Sequence, residues 1–387
     1  MIQMLRSSES LVGVFRFGAP AVAAGLACVI LAACGGEDAG ELAQFTFTSE
    51  LVTEADAPAK LAVAPDGRIF YSEYRAGDIR IIDADGQPLE QPFAHVEVAD
   101  FIHWGLFGLT FDPEFEKNHY VYAYLIRSIP GGGGQAMVIR FTDVDNTGTD
   151  PTAILDDLPR VSSDPATDHV GGGLLFGPDG YLYLSLGDFT PGAAEPVDSQ
   201  DLGLLPGKIL RVRADGSAID DNPFVDTPDA DPRIFAYGLR NVFDFTFHPV
   251  TGRIYANDNG LVNCDELNIV DGGENYGWPQ SLNEEKCENP GAVEPIYLFS
   301  VPGKSPEDAF SNVGPTAIEF LTDDGDLLLT CDVNTGSMIL FLLKGPDFGV
   351  VEETRVIGED CTLDMARARD GTVYYSNHSE IRRLVPD

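Results

Sequence analysis

Short apolar runs alternate with turn-forming residues along this chain, and one phrase of that alternation occurs six times. An apolar strand enters a Pro/Asp/Gly turn and a second apolar or aromatic strand leaves it. The phrase spans 61–71 (Leu-Ala-Val-Ala-Pro-Asp-Gly-Arg-Ile-Phe-Tyr) and recurs at 108–122, 174–183, 245–255, 318–328 and 365–374. Asp-Gly between alternating runs is a strong hairpin signal, because both residues tolerate positive φ. After residue 45 no 3.6-residue periodicity is long enough for a major helix. Hairpin units returning roughly every 45–70 residues mark a β-propeller. The pattern therefore predicts an all-β, six-bladed β-propeller over residues 46–387, with no composition step that would mark a second domain.

The first 33 residues break this pattern. Arg6 and Arg16 precede an apolar, small-residue run over 18–33 that ends Leu31-Ala32-Ala33-Cys34-Gly35-Gly36. This reads as a secretory signal peptide, too short and too rich in Gly and Ala for a membrane-spanning helix. Its end resembles the bacterial lipoprotein box, which implies lipidation of Cys34, a flexible tether over 34–45, and a cell-envelope lipoprotein, periplasmic or on the outer surface. The only contact with a membrane is expected through that lipid. The 387 residues carry 62 Asp+Glu against 24 Lys+Arg, a formal charge of −38. Such acidity argues against nucleic acid and against electrostatic docking on anionic lipid. In an oxidising compartment, Cys264, Cys287, Cys331 and Cys361 can pair in three ways. The sequential pairing 264–287 and 331–361 closes the shortest loops and is expected.

Two segments carry candidate chemistry. Asp168-His169-Val170-Gly171-Gly172-Gly173 places a histidine in a glycine-rich loop, where the glycines let backbone or ligand approach closely. The adjacent Asp168 is a candidate to orient the imidazole of a general base. Tyr237-Gly238-Leu239-Arg240-Asn241-Val242 sets an arginine among apolar residues, so Arg240 must find an anion, a carbonyl or solvent. His95, His119, His248 and His378 read as loop or strand-end residues, and Trp104 and Trp278 as blade-packing aromatics. No Gly-x-Ser-x-Gly elbow is present, and Gly131-Gly132-Gly133-Gly134 lacks the Lys-Ser/Thr of a phosphate loop.

Asp168-His169-Val170-Gly171-Gly172, followed by Phe-Gly-Pro-Asp-Gly-Tyr-Leu-Tyr-Leu-Ser-Leu-Gly-Asp, resembles the soluble glucose/sorbosone dehydrogenase family. That family includes aldose sugar dehydrogenases that use pyrroloquinoline quinone (PQQ). Gly105-Leu106-Phe107-Gly108-Leu109, Gly207-Lys208-Ile209-Leu210-Arg211, Gly238-Leu239-Arg240-Asn241, Asp265-Glu266-Leu267-Asn268 and Gly272-Gly273-Glu274-Asn275-Tyr276-Gly277-Trp278-Pro279 match in order, from about residue 52 to the end. The resemblance implies a six-bladed propeller that oxidises a sugar or alcohol. It assigns His169 as the base taking the C1 hydroxyl proton while hydride passes to the quinone, with Asp168 as its orienting carboxylate. Arg240 and Asn241 would lie beside the cofactor, and a family glutamine falls on His103. Gly260 and Leu261 match backbone ligands of a calcium that holds PQQ. Glu266 and the Tyr276 backbone match a second, structural calcium site. The loop offers the hard oxygens calcium needs, from Asn257, Asp258, Asn259, Asp265 and Glu266.

The chain departs from the family where cations hold the cofactor. An Arg-x-Arg-Asp pattern that clamps the PQQ carboxylates falls here on Cys361-Thr362-Leu363-Asp364, and a further Lys or Arg falls on Asn334. Each lost charge-assisted contact is worth roughly 1.5–3 kcal/mol. The leading expectation is a PQQ-dependent sugar dehydrogenase-like protein that passes electrons to an acceptor the sequence does not name. The alternative is a non-catalytic propeller binding a glycan or protein at the same channel mouth. A calcium-dependent propeller hydrolase such as a lactonase would need several acidic or amide side chains converging on one channel metal.

Overall fold

The structure, a computed structural model, describes residues 40–99, 104–161, 169–190, 198–261, 264–279, 291–299 and 313–387. Within Gly40–Asp387 it is a six-bladed β-propeller built from six antiparallel sheets. Each repeat of the phrase forms the inner hairpin of one blade. Blade 1 starts with Pro58–Val63 and Ile69–Glu73, paired Val63 to Ile69 across the Pro65-Asp66-Gly67 turn. Blades 2 to 6 start with Leu106–Phe111, Leu174–Phe176, Val242–Phe247, Pro315–Phe320 and Met365–Arg367. Blade 2 adds a fifth strand, Thr147–Leu155, paired with Gly134–Val144.

A propeller blade is buried on both faces, so a strand must be apolar at successive positions while still alternating between two neighbours. Tyr120–Ser128 shows this directly. Val121, Ala123 and Leu125 pack with blade 1, whereas Tyr122, Tyr124 and Ile126 pack toward blade 3. Met338–Lys344 divides likewise, with Leu340 and Leu342 toward blade 6 and Ile339, Phe341 and Leu343 toward blade 4. The hydrophobic clusters of the described residues each centre on one such blade junction, and the one joining blades 6 and 1 closes the ring.

Closure also uses a strand that the hairpin phrase does not contain. Phe47–Glu54 pairs antiparallel with Glu380–Pro386 and becomes the outermost strand of blade 6. The last part of the expected tether over 34–45 is structured in the described residues. Glu41–Gln44 forms a 3-10 turn with Leu42 fully buried, held by Arg355 Nη1 donating to the Leu42 and Phe45 carbonyls at 2.8 and 3.2 Å. Cys331 and Cys361 form the expected disulfide between blades 5 and 6, with Cα atoms 5.4 Å apart. Cys264 is also disulfide-bonded; its expected partner, Cys287, lies outside the described residues, as do the signal peptide and Cys34.

Inside the ring, three blades meet at one buried ammonium. Lys60 Nζ of blade 1 lies 2.6 Å from Asp244 Oδ1 of blade 4 and 3.0 Å from Asp364 Oδ1 of blade 6. Two carboxylates on one lysine leave an excess of negative charge, and burial pushes the Asp364 carboxyl up to about 7. Lys60 and Asp244 also line a small inner cavity of about 170 Å3, smaller than the one at the channel mouth.

Candidate active site at the channel mouth

The mouth cavity has a volume of about 560 Å3 and draws its wall from all six blades. That size suits a small-molecule ligand, for which sites run to roughly 300–1,000 Å3. Tyr74, Phe107 and Phe243 form an apolar side, with Tyr74 stacked on Phe107 at 5.4 Å between ring centroids. His169, Arg240, Asn241 and Asn259 form the polar side.

His169 reaches the cavity from the connection ahead of blade 3. Its backbone is left-handed, φ 54°, a conformation that costs a non-glycine residue of order 1 kcal/mol or more. Two hydrogen bonds hold the neighbouring turn, Phe189 N to His169 O at 3.2 Å and Asp188 N to Arg240 O at 2.8 Å. Gly187 is required between them, since a Cβ there would collide with the His169 carbonyl. The imidazole Nδ1 lies 3.1 Å from Asp188 Oδ1. Asp188 is 2% exposed, and its other oxygen accepts from Trp278 Nε1 at 2.9 Å. Asp188 is thus a carboxylate placed to orient His169; Asp168, the sequence candidate, lies outside the described residues. Asp188 ends the Leu-Gly-Asp of the family-like motif, so that motif carried a signal for a second carboxylate that the sequence reading did not single out.

Arg240 is 8% exposed and is fixed from three sides. Its Nη1 donates to the Asn259 and Gly260 carbonyls at 2.8 and 2.9 Å. Its guanidinium carbon stands 5.2 Å from the Trp278 ring centroid. Asp258 accepts the Arg240 and Asn241 amides at 3.0 and 2.7 Å, and burial raises its carboxyl above the usual range. Asp265 receives the Gly260, Val313 and Gly314 amides, and burial pushes it up to about 6. Trp278 thus does more than pack a blade, because one indole touches both the orienter of His169 and the guanidinium of Arg240. Asn241 Oδ1 accepts from Gly171 N at 3.1 Å, which ties the Arg-Asn segment to the glycine-rich loop. The two sequence segments converge on one cavity as their chemistry required.

The expected metal ligands behave differently. The Gly260 carbonyl already faces a guanidinium, so calcium there would compete with Arg240 for the same oxygen. The Glu266 carboxylate accepts Asn268 Nδ2 at 3.0 Å, and the Tyr276 hydroxyl donates to the Ile269 carbonyl at 3.0 Å. Leu261 is half-buried and is not part of the cavity wall. Among the described residues no group of three or more His, Cys, Asp or Glu side chains is placed to hold a metal. The expected calcium ligands are mostly backbone carbonyls, which such a side-chain grouping does not describe, and among the described residues the acidic cluster that a lactonase would need is not seen. His103 lies outside the described residues. Asn334 and Leu363 line the cavity where the family pattern has cations, and Cys361 is committed to its disulfide.

A family model described as Glucose / Sorbosone dehydrogenase matches residues 55–306. Aldose sugar dehydrogenase YliI of Escherichia coli (strain K12) is 31% identical over 232 residues, 59% of this chain and 60% of that protein. Quinoprotein glucose dehydrogenase B of Acinetobacter calcoaceticus is 28% identical over 253 residues, 59% of this chain and 51% of that protein. The matches thus span about half to three fifths of those relatives' lengths. A Thermus thermophilus crystal structure described as an oxidoreductase (glucose dehydrogenase) superposes with a TM-score of 0.75 at 27% identity, covering 88% of this chain and all of that one.

Proposed function

The chain belongs to the glucose/sorbosone dehydrogenase family, and from that premise we propose that it oxidises the C1 hydroxyl of an aldose, or a related alcohol, with PQQ in the mouth cavity. The observation that carries the reading is the His169–Asp188 pair set in the same cavity wall as Arg240. The cavity fits the quinone end of the cofactor. Among the described residues, Arg240 Nε and Thr316 Oγ1 are buried with no hydrogen-bond partner; both belong to wall residues and are donors suited to a ligand oxygen. Arg240 and Asn241 are the residues that would hold that end. When bound, PQQ supplies an ortho-quinone that accepts hydride.

The remaining chemistry belongs to the protein. Asp188 at Nδ1 favours the tautomer in which Nδ1 carries the proton and Nε2 is the basic atom. His169 then takes the hydroxyl proton at Nε2, and Asp188 stabilises the imidazolium that forms. Arg240, held in place by two carbonyls and an indole, offers a preorganised positive charge where negative charge develops. Tyr74, Phe107 and Phe243 keep one side of the cavity apolar, which strengthens these electrostatic contacts. Titrating the folded chain with PQQ, calcium and an aldose should give dye-linked oxidation, lost by about 100-fold or more in His169→Ala. No uptake of PQQ by folded protein would sink the reading.

Asn334 and Leu363 in the wall favour a second reading, a propeller that binds a glycan or a protein without turnover. Glycan binding that survives His169→Ala in a chain that ignores PQQ would select it. Export and lipid attachment at Cys34 complete the proposal and rest on the leader sequence; metabolic labelling with a fatty acid, lost in Cys34→Ala, checks them.

A further inference from the structure

PQQ carries three carboxylates, and in an acidic protein each needs a cation or solvent. Among the described residues of the wall, the arginines are Arg240 and Arg75, and there is no lysine. Arg240 is committed to the reactive end. Arg75 stands on the turn between Ile69–Glu73 and Asp78–Ile82 of blade 1, a position the hairpin pattern did not single out.

Two backbone hydrogen bonds fix where that turn lies. Ala57 N donates to the His378 carbonyl of blade 6 at 2.9 Å, and Tyr74 N donates to the Ala57 carbonyl at 3.4 Å. Arg75 is therefore next to blade 6, the blade in which Leu363 and Cys361 replace the family's paired arginines. Its head group is partly preorganised. Nε donates to Tyr74 Oη at 2.7 Å, and the guanidinium carbon lies 5.3 Å from the centroid of that ring, which is itself stacked on Phe107. With Nε engaged, the two Nη groups form the edge left for a ligand, and a planar pair of N–H donors matches a carboxylate.

We propose that Arg75 is the carboxylate anchor of this site, so that the cation supplied by the strand openings of blades 5 and 6 in the family comes here from the blade 1 turn. The proposal rests on the quinone-linked reading. It makes the cofactor pocket a one-anchor site, in which a single arginine-carboxylate pair replaces a clamp of several cations. Binding of PQQ then depends on one charge pair at the rim, and weakens with salt as an exposed pair does.

The test uses equilibrium binding to the full chain, without substrate, of PQQ and of its uncharged trimethyl ester. Wild-type protein is expected to bind PQQ more tightly than the ester. Arg75→Ala is expected to lose about 10- to 100-fold in affinity for PQQ and nothing for the ester, with Arg75→Lys in between and the melting temperature unchanged. Equal PQQ affinity in wild type and Arg75→Ala would overturn the anchor while leaving the dehydrogenase reading intact. A parallel loss for PQQ and ester would also overturn it, since the effect would then not be one of charge. Failure of folded wild-type protein to bind PQQ would remove the reading and the anchor together.

Discussion

Asp188 accepts the imidazole of His169 and the Thr190 amide on one oxygen and the Trp278 indole on the other. With both oxygens engaged, the carboxylate is fixed at the one geometry that keeps Nδ1 protonated. Asp188→Asn keeps the shape but turns one acceptor into a donor, and the preferred tautomer is lost. Dye-linked kcat should fall about 100- to 10,000-fold with KM little changed; an unaltered kcat would make Asp188 a purely structural anchor. His169 and Arg240 were legible in the sequence because each sat where packing gave it no reason to be, in a run of glycines and between apolar residues. Asp188 was not, because its partner is 19 residues away across a hairpin. Arg75 was equally silent, since an arginine in a turn has solvent as its ordinary destination.

At the scale of elements, the six hairpins were readable because Pro-Asp-Gly turns and alternating apolar residues are local signals. The outer strands and the chain ends were harder. Glu41–Gln44 has no apolar periodicity, yet Leu42 is fully buried among Leu340, Leu342 and Leu384. Truncation in Leu42→Ala should cost about 2–5 kcal/mol, read as a lower melting temperature with early exchange of the Glu353 and Arg355 amides. A melting temperature equal to wild type would return this segment to the flexible tether that composition suggested. The strand Phe47–Glu54 belongs to the same class, because its partner Glu380–Pro386 lies at the far end of the chain.

For the whole molecule, the ring brings acids together that the sequence keeps far apart. Glu319 lies in the inner cavity near Asp244, where burial pushes its carboxyl from 4.5 up to about 7. The folded state therefore keeps a proton that the unfolded chain has released, so this group's contribution to stability falls as pH rises from about 4.5 to about 7. Asp364 and Asp265, also raised by burial, act in the same direction. Glu319→Gln removes one such proton, and chemical denaturation should show a gain on the order of 3 kcal/mol at pH 8 that vanishes near pH 4. A gain of the same size at both pH values would mean that the charge of Glu319 is not the cause. The sequence by itself determined the inner hairpins, the number of blades and the two segments that carry the chemistry, because turn residues and period-two burial act over a few neighbours. The tertiary structure alone decided that Asp188 meets His169, which strand closes the ring, that Lys60 ties blades 1, 4 and 6, and that Arg75 of the blade 1 turn stands beside blade 6. Those are meetings across a closed circle, and no local propensity encodes the distance between residues that only ring closure brings together.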